Sequence, residues 1–327
     1  MLISAADKLY PHKTAVLLNP HSGRIRKRID SIRSLAQSIP RAVIRETNSL
    51  AQMNAAIDEF SNQAIDHLVI VGGDGTVQAV LDRIFNSRLW KELPVLSVVP
   101  GGTTNMIATD TGSRGGPEKN LNRLANCLQQ STDAKIVSRA VLRIEQTGRP
   151  NIYGMFFGTG IISRGAGFFQ KHIKKSGLAG EPASAIIVFH LLCGLLFGRK
   201  TEELKSARIR LIDSSKPMQD DNYKILFATT LDRLLFGLRP YWGANHGPVH
   251  ITSIKESADK FWRSLLTIIS GRGNRLSEQS GYYSRNGQAL ELTMDEEYIV
   301  DGEFFASDSR LGPLRITATK PVRFLLP

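Results

Sequence analysis

HLVIVGGDGTVQAVLDRIFNSRLW, residues 67–90, joins two patterns without a gap. His67 to Val71 is a short, nearly continuous apolar run of the kind a strand covered on both faces needs. Val77, Val80, Leu81, Ile84 and Phe85 then fall at i, i+3, i+4, i+7 and i+8, the apolar face of an amphipathic helix. Between them stand Gly72, Gly73, Asp74, Gly75 and Thr76. The same alternation runs outward on both sides. AVLLN (15–19), AVIRET (42–47) and PVLSVVP (94–100) read as strands; 24–39 and 49–64 read as helices. Apolar strands separated by helices predict a parallel sheet with both faces covered, a doubly wound α/β domain over residues 1–134.

Past residue 134 the rhythm changes. VLRIEQ, IYGMFFGTG, ARIRLID, YKILFATT, VHITSI, ALELTM, YIVDGEFF and LRITATKPVRFLL are strand-like, several with period-2 alternation. They predict a mostly antiparallel β domain over 135–327, with the last strand free to return toward the first domain. Helical segments interrupt it at Ala183 to Phe197 and at Ala258 to Ile269.

In a doubly wound sheet ligands bind beyond the carboxyl ends of the strands. Three loops occupy such ends: Asn19-Pro20-His21-Ser22-Gly23, Gly72-Gly73-Asp74-Gly75-Thr76, and Pro100-Gly101-Gly102-Thr103-Thr104-Asn105. Glycine lets backbone N–H groups approach a phosphate, and a following helix N-terminus adds partial positive charge. The three together form an anion cradle. A carboxylate inside it would repel a phosphate unless a cation stood between, so Asp74 points to nucleotide-bound Mg²⁺. The same residues also suit a plain strand–helix turn with Asp74 as a cap. Neither G-x-G-x-x-G nor G-x-x-x-x-G-K-[ST] is present.

The 327 residues suit two domains, and a net charge of +12 favours an anionic partner. Two distant cysteines, Cys127 and Cys193, exclude a disulfide framework and a cysteine-rich zinc site. The start MLISAADKLYPHKTAV has no basic n-region followed by an apolar stretch, so a cytoplasmic setting is expected. Ala183–Gly198 is shorter than the ~20 residues of a membrane span. No nucleic-acid module is recognisable, and none is expected as a partner.

The ordered set of motifs resembles the diacylglycerol kinase, sphingosine kinase and bacterial lipid kinase family. VVGGDGT with its helix and the later P-x-G-T-x-N carry the likeness, joined by Asn19-Pro20-His21-Ser22-Gly23, Thr47, FGTGIISRGAG, Val300-Asp301-Gly302-Glu303 and the ending PVRFLLP. The resemblance implies an ATP- and Mg²⁺-dependent kinase that phosphorylates a lipid hydroxyl, with nucleotide in the interdomain cleft. ATP would lie against Asn19, Pro20, His21, Ser22, Gly23, Thr47, Gly72, Gly73, Asp74, Gly75, Thr76, Gly101, Gly102 and Thr103, with Asp74 near the metal. Asp301 and Glu303 would be the catalytic carboxylates, and i, i+2 spacing on a strand would turn both into the cleft. Two departures stand out. Met106 replaces the family's usual Asp after Asn105, and Gly243-Ala244-Asn245-His246-Gly247-Pro248 replaces the Asp-Gly of members with a structural Mg²⁺, so no such site is expected near His246.

A lipid substrate implies peripheral contact with an anionic membrane surface, at the inner face of the membrane. Basic residues stand beside apolar ones at 168–177, Arg199-Lys200, Lys260, Arg263 and Arg272. The alternatives are an NAD kinase-like enzyme, which shares GGDGT, and a catalytically silent lipid or nucleotide binder.

Overall fold

The computed structural model describes residues 13–130, 134–172, 207–213, 216–269 and 271–327. In chain order it opens with β1 (Thr14–Leu18), α1 (Ile29–Gln37), β2 (Val43–Glu46), α2 (Leu50–Asn62), β3 (His67–Gly72) and α3 (Asp74–Ser87). Then come β4 (Val95–Pro100), α4 (Met106–Asp110), α5 (Pro117–Gln130) and β5 (Lys135–Arg139). The second unit holds β6 (Leu142–Glu145), β7 (Ile152–Gly154), β8 (Phe156–Gly160), α6 (Ile161–His172), β9 (Ala207–Asp213) and β10 (Lys216–Thr229). It continues with β11 (Val249–Lys255), α7 (Phe261–Ile269), β12 (Tyr282–Gly287), β13 (Ala289–Thr293), β14 (Glu297–Val300), β15 (Glu303–Ala306), β16 (Leu314–Ala318) and β17 (Val322–Leu326).

The first sheet runs β2-β1-β3-β4-β17-β5, with β1 to β4 mutually parallel. Strand alternation sends Ala15 and Leu17 to one face, against Ile57 and Phe60 of α2 and Val80 and Leu81 of α3. Val16 and Leu18 face the other way, against Ile32 of α1 and Leu121 and Leu124 of α5. Each fully buried side chain of this size contributes about 1.5–3 kcal/mol of hydrophobic stabilisation. The helix expected over 24–39 begins only at Ile29; a 3₁₀ turn at Arg26–Arg28 precedes it, and Arg28 at φ −137° breaks the continuity.

The closing strand β17 lies inside this first sheet, parallel to β4 and antiparallel to β5. Lys135–Arg139 therefore belong to the first sheet, and the break expected at 134 falls after Arg139. Composition could not place it, because β5 acquires its partner only from the far end of the chain.

The second sheet is antiparallel throughout, in the order β15-β14-β8-β10-β9-β13-β16-β6-β7, with β11 added on β10 and β12 on β11. β10 pairs with β9 through its first half and with β8 and β11 through its second. IYGMFFGTG, read as one strand, divides at Met155 because the Met155 and Phe156 N–H groups bond to the Asp301 carboxylate instead of a neighbouring strand. The helix expected at 183–197, like the basic pairs at 173–177 and Arg199-Lys200, lies outside the described residues. That expected from Ala258 starts at Phe261, after Lys260 at φ +49°.

The two units share a core. Tyr153, Met155 and Leu231 join the cluster built by α2 and α3, and the Phe85 and Tyr153 rings stack at 4.8 Å. Among the described residues no helix is long and apolar enough to cross a membrane.

Candidate active site

The order β2-β1-β3-β4 reverses direction between β1 and β3, and a crevice opens there beyond the strand ends. A cleft of about 580 Å³ occupies it, walled by the loops after β1, β2, β3 and β4 on one side and by Asp301, Gly302 and Glu303 on the other. Of the residues expected at the nucleotide, Asn19, His21, Ser22, Thr47, Gly73, Asp74, Gly75, Thr76, Gly102 and Thr103 line this wall. Pro20, Gly23, Gly72 and Gly101 do not. Gly72 and Gly101 sit beneath the cradle, packed on the side chains of Thr76 and Ile25.

The loops are tied to one another before any ligand arrives. Asn19 N–H donates to Val71 O at 3.0 Å, and its side-chain amide donates to Thr76 Oγ1 at 2.9 Å. Arg24 N–H donates to Gly101 O at 2.9 Å, joining the first loop to the third. Gly73 and Gly102 meet backbone to backbone: a Cβ on Gly102 would lie 2.7 Å from the Gly73 Cα. Only two glycines permit that approach. Asn105, at φ +48° and buried, clamps the third loop by accepting from Gly102 N–H at 2.7 Å and donating to Gly102 O at 2.8 Å. Asparagine tolerates this left-handed conformation better than most residues.

Asp74 has a more specific position than the cradle idea foresaw. It is buried, and its carboxylate accepts from Thr104 Oγ1 at 2.6 Å, Met106 N–H at 3.0 Å and Ile107 N–H at 3.1 Å. It therefore caps α4, across the loop from its own helix, while still fronting the cleft. Burial raises its pKa above the ordinary carboxylate value against the pull of those three hydrogen bonds.

Asp301 and Glu303 do share the cleft, but not through strand alternation. Val300 pairs with Glu303, so Asp301 and Gly302 are the two residues of a hairpin turn, at φ +49° and +95°. Positive φ at both positions is the type I′ pattern, for which Asp-Gly is a favoured dipeptide, and that dipeptide was the available signal. The buried Asp301 carboxylate accepts from Met155 N–H at 2.8 Å and Phe156 N–H at 2.9 Å. Its pKa stands well above the ordinary value, first through burial and then through the charges of Asp74 and Asp82, although the two backbone bonds oppose the shift. Asp82, where α3 meets β7 and accepts from Tyr153 N–H, is itself raised to about 6 by burial.

Glu303 is exposed and reaches across to the first unit. A Cβ built on Gly75 would lie 2.5 Å from its Oε1. Gly75 is thus the residue that admits Glu303 to the glycine loop.

Four wall residues escaped the sequence reading: Asn48, Ser49, Leu50 and Met53, at the start of α2. Ser49 Oγ accepts from Gln52 N–H, and Gln52 Oε1 accepts from Asn48 N–H at 2.7 Å. This Ser-x-x-Gln arrangement is a helix-start signature legible in the sequence. Thr104 and Gly302 complete the additions.

Three acidic side chains front the cleft. Asp74 and Asp301 spend part of their capacity on N–H donors, whereas the Glu303 side chain has no hydrogen bond or ion pair among the described residues. Mg²⁺ with a nucleotide needs only one or two carboxylates besides phosphate and water, so this donor set fits it. Near His246 the Gly243 and Asn245 carbonyls accept from Asn286 Nδ2 at 3.0 and 2.8 Å. Among the described residues no cluster of three or more His, Cys, Asp or Glu could hold a metal.

Comparison with known proteins agrees with this architecture. The profile of the diacylglycerol kinase catalytic domain matches residues 13–138. No curated protein sequence matches. A solved structure of a candidate diacylglycerol kinase from Bacillus anthracis str. Sterne superposes with a TM-score of 0.68 at 16% identity, covering 100% of this chain and 99% of its own. A diacylglycerol kinase structure from the same organism gives a TM-score of 0.63 at 14% identity, covering 97% of each chain.

Proposed function

From a chain whose residues 13–138 match the diacylglycerol kinase catalytic domain and whose fold follows such proteins along its length, we infer an ATP-dependent lipid kinase that transfers the γ-phosphate to a lipid hydroxyl. One observation carries the reading: a glycine-built anion cradle at the sheet's switch point shares its cleft with Asp301 and Glu303 from the other unit.

Phosphoryl transfer needs in-line placement and neutralisation of charge more than covalent help from the protein. The N–H groups of the first, second and third loops would hold the phosphates, with the N-termini of α2 and α3 adding partial positive charge. Arg26 and Lys27, exposed beyond the first loop and without an ion pair among the described residues, would add to the attraction. Mg²⁺, when bound with the nucleotide, would supply charge neutralisation, and Glu303 and Asp74 would be the side chains to hold it. Asp301 is assigned the proton. Its raised pKa brings it closer to that of an effective general base at neutral pH, and its two N–H partners fix the carboxylate in place. The acceptor side is apolar. Phe156, Phe227 and Ile299 form a separate cluster, with Met106, Ile162, Leu234 and Phe304 half-buried against it. Its members Phe156, Ile299 and Phe304 adjoin the Asp301–Glu303 turn. This junction of polar cleft and apolar cluster suits a hydroxyl on a greasy chain. With Met106 in that cluster, one wall that carries a carboxylate in the resembled family is uncharged here.

Incubation with γ-labelled ATP and a total lipid extract should label a lipid, and Asp301→Asn should abolish the label. Label on NAD with none on lipid would instead favour the NAD kinase reading.

A further inference from the structure

The segment Leu231–Trp242, to which the sequence reading assigned no role, displays an aromatic ring to solvent. Leu231 is fully buried in the shared core, and Leu234 packs on both that core and the apolar acceptor cluster. Between Leu234 and Leu238 the chain closes a tight turn. Gly237 N–H donates to Leu234 O at 3.0 Å, Leu238 N–H to Leu235 O at 3.1 Å, and Leu234 N–H to Leu238 O at 2.8 Å. Phe236 stands at its tip, 58% exposed, with φ +56°. A left-handed phenylalanine is sterically costly. A Cβ built on the adjoining Gly237 would meet nothing within 4 Å, so the tip projects into open space.

Exposure of a large ring on a strained, internally bonded turn gains nothing for folding, since a polar residue or glycine would serve better there. The surroundings identify what the ring meets. Arg233 and Arg239 flank it, both exposed, and neither is ion-paired among the described residues. The neighbouring Asp232 is turned away onto Arg139. The turn packs against α4, the helix that Asp74 caps, and its base adjoins the acceptor cluster through Leu234. An apolar tip between two exposed cations matches the interface of an anionic bilayer, where a ring enters the acyl boundary while guanidinium groups stay with the phosphates.

We propose that the 233–239 turn is a membrane-docking element that inserts Phe236 into an anionic lipid surface beside the acceptor cluster. The proposal rests on the lipid-kinase reading for its purpose, while its test uses vesicles alone and succeeds or fails without any turnover.

The decisive variant is Phe236→Gly. Glycine accepts φ +56° without strain, so the midpoint of thermal unfolding should hold or rise. Co-sedimentation with vesicles of mixed phosphatidylcholine and phosphatidylglycerol should nevertheless weaken about tenfold or more, the effect of losing a buried aromatic ring. Arg233→Gln and Arg239→Gln should each weaken binding about fivefold at low salt and little at high salt. Wild-type protein that ignores anionic vesicles, or Phe236→Gly that binds them like wild type, overturns the proposal. Self-association lost in Phe236→Gly with vesicle binding unchanged would assign the tip to a second copy and overturn it equally. Vesicle binding that behaves as expected without lipid phosphorylation would leave this element standing and remove only the assigned reaction.

Discussion

Gly75→Ala separates catalysis from folding at a single carbon atom. The added Cβ would lie 2.5 Å from Glu303 Oε1, whereas ordinary contact begins near 3.4 Å, so the carboxylate must retreat by about 0.9 Å. The three atoms nearest that Cβ all belong to Glu303, and the exposed Glu303 side chain can swing outward without disturbing the core. Gly75 is the second residue of α3 and carries no positive φ, so alanine fits the helix and gains up to about 1 kcal/mol of propensity. The unfolding midpoint should therefore stay within about 2 °C of the parent or exceed it. Catalysis should suffer, because a displacement of about 1 Å at a positioning group costs about 100-fold. The assay is single-turnover transfer of labelled phosphate at saturating nucleotide, with nucleotide affinity measured separately. Combining Gly75→Ala with Glu303→Ala should add nothing to the loss from Glu303→Ala alone, since both act on one carboxylate. Near-wild-type turnover in Gly75→Ala, or full additivity in the pair, would refute a role for Glu303 at the glycine loop.

Three further outcomes are expected. The buried His67, held by Thr14 Oγ1 and Ser97 Oγ, has its pKa lowered to about 4 by burial, so the folded state resists its protonation. Its contribution is complete above the unfolded value near 6.5 and is lost as pH falls from there toward 4; on the order of 3 kcal/mol should vanish from denaturant midpoints across that window and be absent in His67→Gln. Arg139→Met should cost about 3–5 kcal/mol in urea unfolding, because it strands the Asp110 carboxylate, whose side chain is 1% exposed and bonds to Arg139 Nε at 2.8 Å. The acid limb of kcat against pH should lie above the ordinary carboxylate range, since Asp301 must lose its proton to act, and Asp82→Asn should move that limb downward by removing a repelling charge. An unmoved limb would take the assignment away from Asp301.

Much of this molecule was legible one residue at a time. The alternation of buried strands and amphipathic helices dictated the covered parallel sheet, because strand and helix periods report directly which faces meet solvent. The loop glycines were legible too, since close backbone approach leaves glycine in the sequence, as Gly73 and Gly102 show. What only the tertiary structure decided depends on contacts between distant segments. It closed the first sheet with β17, bound Asp74 to α4 rather than to its own helix, and brought Asp301 to Met155 and Phe156. It also exposed Phe236 while burying Phe227, nine residues earlier on β10. The local pattern is the same for both rings. Burial is settled by which surfaces remain after every other element has packed, and no window of neighbouring residues contains that information.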